Sequence, residues 1–261
     1  MYRTMLPIIA AQGLRAIAPD MIGFGRSDKP CRRTDHAVGA HVAALGELVV
    51  HLELSHITLV VQDWGGPIGL AALVTAPERF SGVVAANTAL HTADPDLAGL
   101  LAWPCHQLEG GSMAIEPTLL DYQRLTQELA PFRPSLFVQG ATTHKLSEGE
   151  YAAYDAPFPD EASCAGPRQL PLLMGHSPRS ACAQLNRRTF EFLAHSPMPV
   201  LTAYSDGDPS TGGWDRVLQA RAAGAAGQGH CTIADAGHFL QEDQGPNLAE
   251  KVVAFATRSQ S

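Results

Sequence analysis

The sequence predicts an α/β fold in which a mostly parallel sheet carries helices on its faces and a helical segment is inserted into it. Two observations lead to this prediction. Short β-branched runs alternate with amphipathic patterns in the first and last parts of the chain, and between positions 88 and 195 this alternation stops. We expect residues 1–87 and 196–261 to form one core domain and residues 88–195 to form a helical cap.

The first elements are predicted from the spacing of apolar residues. Leu14, Ala16 and Ile17 form a short strand pattern that ends in the Gly-rich turn GFGRSD. Between residues 36 and 54, apolar side chains recur at spacings of three and four, which predicts an amphipathic helix. The run HITLVV at 56–61 is too short for a typical helix, so we expect a strand buried on both faces.

The later elements continue the alternation. Residues 67–76 are predicted to form a helix and residues 82–86 a strand. After the cap, the patterns predict two strands and two helices in the order strand, helix, strand, helix: 199–204, 214–223, 230–234 and 247–257.

Composition excludes several classes of function. A net charge of −8, with no basic cluster longer than Arg32-Arg33, argues against nucleic-acid binding. The sequence contains no stretch of eighteen or more apolar residues, so no membrane span is predicted. The N-terminus lacks the features of a signal peptide, so a cytoplasmic location is expected. The five cysteines are scattered without a Cys-x-x-Cys pair, which favours reduced thiols and argues against structural zinc.

Ionisable side chains follow three of the predicted strands. Asp63 stands on a turn between a strand and a helix, where α/β hydrolases carry their nucleophile. Asp206 and Asp208 follow the strand at 199–204, and His238 follows the last strand. The order nucleophile, acid, histidine is the one that these hydrolases show, and C-terminal strand ends meet at one sheet edge. We therefore expect a catalytic set there, with Asp206 and Asp208 both open as the acid.

Each of these residues also has a structural alternative. Asp63 could be only the N-cap of the following helix. Asp206 and Asp208 could stabilise their own turn. A single histidine among eleven would more often be a surface or core residue. The strand ends and the chain order, taken together, favour catalysis.

Four segments resemble haloalkane dehalogenases, which have the α/β-hydrolase fold. They are APDMIGFGRSDKP at 18–30, LVVQDWGG at 59–66, YDAPFPD at 154–160 and AGHFLQED at 236–243. The similarity covers nearly the whole chain, from Tyr2 to the last helix. It implies an enzyme that converts a haloalkane and water into an alcohol and a halide.

The resemblance also implies roles for single residues. Asp63 corresponds to the nucleophile that forms an alkyl ester, Asp208 to the acid and His238 to the base that activates water. Trp64 corresponds to a first halide ligand. Trp103, the only tryptophan of the predicted cap, is carried over as the second halide ligand, although it could instead anchor the cap on the core.

The resemblance implies neither a metal nor an organic cofactor, and its partners are haloalkane, water and halide. Leu101, Phe158 and Leu240 are candidates for an apolar lining, because a haloalkane offers little to hydrogen-bond. Each of the three could equally be ordinary core. A monomer or a weak homo-oligomer is expected.

The sequence departs from the family at its start. Haloalkane dehalogenases begin with a β-meander, a third strand and a His-Gly loop that supplies an oxyanion N–H, all before the position that matches Tyr2. In the family's sheet the third strand lies between the strands predicted at 14–18 and 56–61. We therefore expect that Met1 is a misassigned start or that the chain is a fragment, and that these residues alone are poorly stable.

Two other functions remain open. Epoxide hydrolases share the Asp nucleophile and use paired cap tyrosines, and Tyr122, Tyr151 and Tyr154 lie in the predicted cap. A truncated, inactive protein of the α/β-hydrolase fold is the second alternative, since the oxyanion loop is not present.

Overall fold

The computed structural model describes residues 1–94, 105–107, 113–115, 118–175 and 177–258. Within them, the main sheet has four strands in the order β1-β2-β5-β6, and all three pairings are parallel. A second, antiparallel sheet pairs β3 with β4. The strands are β1 (Ile57–Asp63), β2 (Phe80–Thr88), β3 (Cys105–Gln107), β4 (Met113–Ile115), β5 (Val200–Ser205) and β6 (Cys231–Ile233).

Helices flank the main sheet and, together with β3 and β4, make up most of the described part of the predicted cap, which the sequence had predicted to be helical throughout. The α-helices are α1 (Met5–Ala11), α2 (Val38–His51), α3 (Ala71–Thr75), α4 (Thr118–Glu128), α5 (Pro134–Gly140), α6 (Glu148–Asp155), α7 (Ala165–Gln169), α8 (Ala181–His195), α9 (Trp214–Arg221), α10 (Leu240–Asp243) and α11 (Gly245–Arg258). Short 3-10 turns occur at Tyr2–Thr4, Arg33–Asp35, Pro77–Arg79, Ala162–Cys164, Leu170–Leu173 and Ala223–Ala225, and a π-helical turn at Gly66–Leu70. None of the helices described is both long and apolar enough to cross a membrane.

The helix boundaries follow from local chemistry. In α2, the buried face contains Val38, Val42 and Val49, which the apolar spacing predicted. The Ser147 side chain accepts a hydrogen bond from the backbone N–H of Glu150, and the Glu150 carboxylate accepts one from Ser147, which forms a capping box at the start of α6.

The core lies on both faces of the sheet. Along β2, Val83 and Ala85 pack into one apolar cluster and Val84 and Ala86 into another, because side chains alternate between the two faces of a strand. The helices α8 and α9 cover the first face, and α1 and α11 cover the second. The last helix of the predicted cap, α8, therefore packs directly on the sheet.

The prediction of a strand at 14–18 is wrong. Residues 14–20 have no regular secondary structure, and the Ile17 side chain is 40% exposed. In the described part of the chain, β1 pairs with β2 alone, and no strand is hydrogen-bonded to its other side. A short apolar segment cannot form a strand without a neighbouring strand that satisfies its backbone groups. For the same reason residues 57–60 of β1 are only half-buried, although full burial was predicted.

Candidate active site

Asp63 ends β1 on a sharp turn. Its φ is 47°, in the left-handed region that non-glycine residues rarely adopt. The Thr88 hydroxyl donates a hydrogen bond of 2.6 Å to the Asp63 carbonyl, and a Cβ at Gly66 would lie only 2.0 Å from that hydroxyl oxygen. Glycine at 66 therefore lets the chain turn tightly over β2. The turn leaves the Asp63 side chain 43% exposed above the end of the sheet.

The structure brings Asp63, His238 and Asp208 together. The Nε2 atom of His238 lies 3.6 Å from Asp63 Oδ1, and its Nδ1 lies 3.1 Å from both carboxylate oxygens of Asp208. His238 and Asp208 are both buried. An imidazole between two carboxylates, with one carboxylate accessible, is suited to orienting a base next to a nucleophile.

Asp206 does not contact His238. Its carboxylate accepts hydrogen bonds from the backbone N–H groups of Asp235 at 3.2 Å and Ala236 at 3.4 Å. This contact holds the loop after β6 against the loop after β5. The geometry therefore separates the two acids that the residue pattern left open, with Asp208 on the imidazole and Asp206 in the turn.

Asp208 is held in its ionised form. Burial alone would raise the pKa of its carboxyl group, but hydrogen bonding with His238, the charge of His238, and donors from Thr211 and Ser210 together lower it. The donors are the Ser210 N–H at 2.8 Å, the Thr211 N–H at 3.2 Å and the Thr211 hydroxyl. A buried carboxylate with this many donors keeps its charge and fixes the imidazole.

The two carboxylates make His238 strongly basic. Burial disfavours the imidazolium, but hydrogen bonds and charge from Asp208 and Asp63 outweigh it and raise the pKa of His238 to about 10. Asp63 supplies part of this effect. Any reaction that neutralises the Asp63 carboxylate will therefore lower the pKa of His238.

Two buried amides near His238 were missed by the sequence analysis. Asn87, at the end of β2 with φ 42°, donates to the carbonyls of Gly237 at 2.9 Å and His238 at 3.0 Å. Gln62, next to Asp63 in β1, places its Nε2 3.1 Å from the His238 carbonyl and 3.2 Å from His238 Nε2. The available signal was a polar residue inside an apolar strand, because such a residue needs buried partners.

The predicted cap is bound to the loop that carries His238. On α10, Asp243 accepts hydrogen bonds from the Gly237 N–H at 2.8 Å, the Thr143 N–H at 2.9 Å and the His144 ring at 2.8 Å. We call this set of contacts, together with those of Glu242 described next, the α10 clamp. It joins α10 to the segment between α5 and α6.

Glu242 forms the second half of the α10 clamp. Its carboxylate accepts a hydrogen bond of 2.7 Å from Arg3 and one of 2.6 Å from the Tyr154 hydroxyl, and Arg3 also pairs with Glu150 on α6. Donor atoms of His144, Glu150 and Glu242 lie within 4.8 Å of one another, a spacing that would suit a metal ion. Arg3 already neutralises both carboxylates.

The predicted halide and lining residues have different outcomes. Trp64 is half-buried beside the cluster that contains Val38 and Ile68, and its indole N–H has no acceptor among the described residues. Trp103 and Leu101 lie outside the described residues.

Of the two other lining candidates, Phe158 packs edge-on against Phe24, with ring centroids 6.3 Å apart, and Lys29 Nζ lies 5.8 Å from its ring centroid. Leu240 lies in the apolar core instead of the lining. It is fully buried in the cluster with Val84 and Leu201, so its side chain offers a ligand no accessible surface.

The three tyrosines of the predicted cap have different partners. The Tyr154 hydroxyl donates to Glu242, and the Tyr151 hydroxyl donates to Gln139 at 3.2 Å. Tyr122 packs against Phe137 with ring centroids 5.6 Å apart. Two of the three phenols therefore already donate to other side chains.

Comparison with known proteins places the chain in a family. Residues 1–104 match the family model described as alpha/beta hydrolase fold. The chain is 42% identical to a haloalkane dehalogenase of Psychrobacter cryohalolentis over 98% of its own length and 78% of the relative's, and 37% identical to one of Mycobacterium marinum over 98% and 80%.

A solved structure agrees with these relatives. The tetrameric haloalkane dehalogenase of Paraglaciecola agarilytica superposes with a TM-score of 0.80 at 26% identity, covering 97% of this chain and 78% of that chain. The prediction of the α/β-hydrolase fold is thereby confirmed. Because a haloalkane dehalogenase is 42% identical to this chain over 98% of the chain's length, the chain belongs to the haloalkane dehalogenase family.

Proposed function

We propose that the chain hydrolyses haloalkanes to alcohol and halide through an alkyl ester on Asp63. The observation that carries the proposal is an accessible carboxylate on a left-handed turn, with the buried imidazole of His238 3.6 Å away. Relatives named haloalkane dehalogenases support the substrate class.

In the first step an Asp63 oxygen attacks the carbon that bears the halogen. A carbon–oxygen bond forms, the carbon–halogen bond breaks, and the halide leaves with the bonding electrons. The Trp64 indole N–H is available to the halide because no described residue accepts from it, and Trp103 is proposed as a second donor. An indole suits this task since it can only donate and sits on an apolar body.

In the second step water cleaves the ester. Ester formation removes the negative charge of Asp63, which lowers the pKa of His238 from about 10 and leaves Asp208 as its one carboxylate partner. His238 then takes a proton from water as the water oxygen attacks the ester carbonyl carbon. The tetrahedral intermediate collapses, the alcohol leaves, and Asp63 is regenerated with the release of a proton. No step needs a cofactor.

The remaining predictions fit this scheme. We propose residues 1–87 and 196–261 as the core and 88–195 as the cap, with α8 packed on the sheet. The substrate partners are a small haloalkane, water and halide. A cytoplasmic location and a monomeric or weakly oligomeric state stay predictions from the sequence.

The ester can be trapped in a variant that lacks the base. We expect His238→Phe mixed with 1,2-dibromoethane to accumulate one alkyl adduct, which mass spectrometry of the intact protein detects and peptide mapping assigns to Asp63. The double variant Asp63→Asn, His238→Phe should show none. A folded His238→Phe protein without an adduct, or with the adduct on another residue, contradicts the proposal.

The parent protein distinguishes the two substrate classes. We expect bromide release from 1,2-dibromoethane and no opening of styrene oxide above the uncatalysed rate. Epoxide opening without halide release would instead favour the epoxide hydrolase function.

A further inference from the structure

Gln62 contacts the reactive nitrogen of His238 from inside the sheet. It is the penultimate residue of β1 and is 9% exposed. Its Nε2 lies 3.2 Å from His238 Nε2 and 3.1 Å from the His238 carbonyl oxygen. The same imidazole nitrogen lies 3.6 Å from the proposed nucleophile, so Gln62 and Asp63 approach it together.

The neighbours of Gln62 fix which end of its amide faces His238. The His238 carbonyl can only accept, so the amide group 3.1 Å away must be the NH₂. At the other end, Gln62 Oε1 accepts a hydrogen bond of 3.2 Å from Gln241 Nε2, which lies 3.1 Å from the Tyr2 hydroxyl. A reversed Gln62 amide would place its oxygen 3.1 Å from the His238 carbonyl oxygen, where neither atom can donate.

This orientation constrains the imidazole. One N–H of the Gln62 amide donates to the His238 carbonyl, and the other is directed at His238 Nε2. A nitrogen that receives a donor must offer a lone pair, so Nε2 is unprotonated when this hydrogen bond forms. The proton of the neutral ring then lies on Nδ1, which faces Asp208 at 3.1 Å.

We propose that Gln62 is a positioning residue that stabilises the neutral form of His238 with its proton on Nδ1 and its lone pair on Nε2, and so prepares the base for ester hydrolysis. This inference rests on the proposed function. Once Asp63 has become an ester, the attacking water replaces the Gln62 amide as the hydrogen-bond donor to His238 Nε2. A histidine held between two carboxylates needs such a donor, because the carboxylates favour the imidazolium.

Among the described residues, two charged groups act on the His238 imidazole. Asp63 approaches from β1 and Asp208 from the loop after β5, and both raise the pKa of the imidazole. Tyr2, at the N-terminal turn, is connected through Gln241 and Gln62, and burial raises the pKa of its phenol, so it stays neutral. The Gln62 amide is therefore the neutral donor that opposes the two carboxylates at Nε2.

The proposal is tested by two substitutions of similar size. Gln62→Met removes the donor and Gln62→Glu replaces it with an acceptor that favours the imidazolium. We expect the acidic limb of the pH profile for ester breakdown, measured by rapid quench after halide release, to move to higher pH in the order parent, Gln62→Met, Gln62→Glu. At a fixed pH below the limb, ester breakdown should be about tenfold slower whenever the limb lies one pH unit higher. The rate of halide release in the first turnover should change less.

NMR of the resting protein supplies a readout that does not need turnover. The ¹⁵N chemical shifts of His238 across pH report its protonation and tautomer, and we expect the midpoint to rise in the same order of variants. Gln219→Met is the matched control, because Gln219 on α9 donates to Thr202 away from the site. It should leave both readouts unchanged.

The outcomes separate the two proposals. Displaced NMR midpoints in a protein that releases no halide support Gln62 as the positioning residue and contradict the dehalogenase function. Folded Gln62 variants with unchanged midpoints and an unchanged acidic limb overturn the role of Gln62, whatever happens to overall activity.

Discussion

The C-terminal end of β1 and the segment 14–18 differ in how completely their polar groups are satisfied. At the end of β1, Gln62 and Asp63 join a hydrogen-bonded set that reaches β2, α10 and the loop after β6. The segment 14–18 pairs with no strand in the described part of the chain, and Ile17 is 40% exposed. Both regions begin as short apolar patterns in the sequence. The difference shows that a strand pattern gains structure only where a neighbouring strand completes it.

The largest expected effect lies at the hydrogen-bonded end. Asp208→Asn should lower kcat for halide release by roughly 10⁴-fold, because an amide favours the wrong tautomer of the histidine it contacts. Steady-state halide release at neutral pH measures this. The control is Asp206→Asn on the same loop, which should stay within about tenfold of the parent since Asp206 contacts only backbone N–H groups. Equal losses in the two variants would mean that the acid is misassigned.

A second prediction compares the centre of the sheet with the segment 14–18. Leu201 in β5 is 2% exposed, so Leu201→Ala should lower the free energy of unfolding by about 2–5 kcal/mol. Ile17→Ala should cost less than about 1 kcal/mol because the side chain already meets solvent. Urea titration of both variants measures the difference. If Ile17→Ala is as costly as Leu201→Ala, the segment 14–18 has a packing partner in solution and the contrast disappears.

The smallest expected effect concerns His41 on α2. Its side chain is 2% exposed, and within the described residues neither ring nitrogen has a hydrogen-bond partner. Burial, and then the neighbouring His36, lower the pKa of His41. The unfolded chain takes up a proton near pH 6.5 while the folded protein resists, so the free energy of unfolding falls as the pH drops below about 6.5.

Replacing His41 should weaken that pH dependence. At neutral pH, the free energy of unfolding of His41→Leu should differ from that of the parent by about 1 kcal/mol. As the pH falls, the stability of the variant relative to the parent should increase. Chemical denaturation at pH 7.5, 6.5 and 5.5 measures the trend. A variant that loses stability relative to the parent at low pH would show that His41 gains a proton and a partner in the folded state.

The sequence predicted the parts of the fold that depend on local pattern. Val38, Val42 and Val49 gave the helix α2, and the apolar runs gave the four strands of the main sheet. The strand at 14–18 failed because its formation depends on a distant neighbour, which a local pattern does not contain.

Prediction of the candidate site is limited in the same way, because a local pattern does not identify distant neighbours. Chain order and strand ends predicted that Asp63 and His238 lie at one edge of the sheet, and their side chains are 3.6 Å apart. The choice between Asp206 and Asp208 needed either a family resemblance or the geometry. The pattern did not reveal Gln62 and Asn87. A buried amide in a strand needs hydrogen-bond partners, but the sequence does not identify which residues they are. Leu240 was misplaced because apolar character alone cannot distinguish a cavity wall from the core.

The α10 clamp has a consequence for how a ligand reaches the nucleophile. Asp243 and Glu242 attach the segment between α5 and α6, and α6 itself, to the helix that follows His238. Moving this part of the predicted cap outward would pull His238 away from Asp208 and would leave two carboxylates without their donors. Entry and exit routes to Asp63 should therefore run on the side away from α10, where the passage of a ligand leaves His238 and Asp208 in contact.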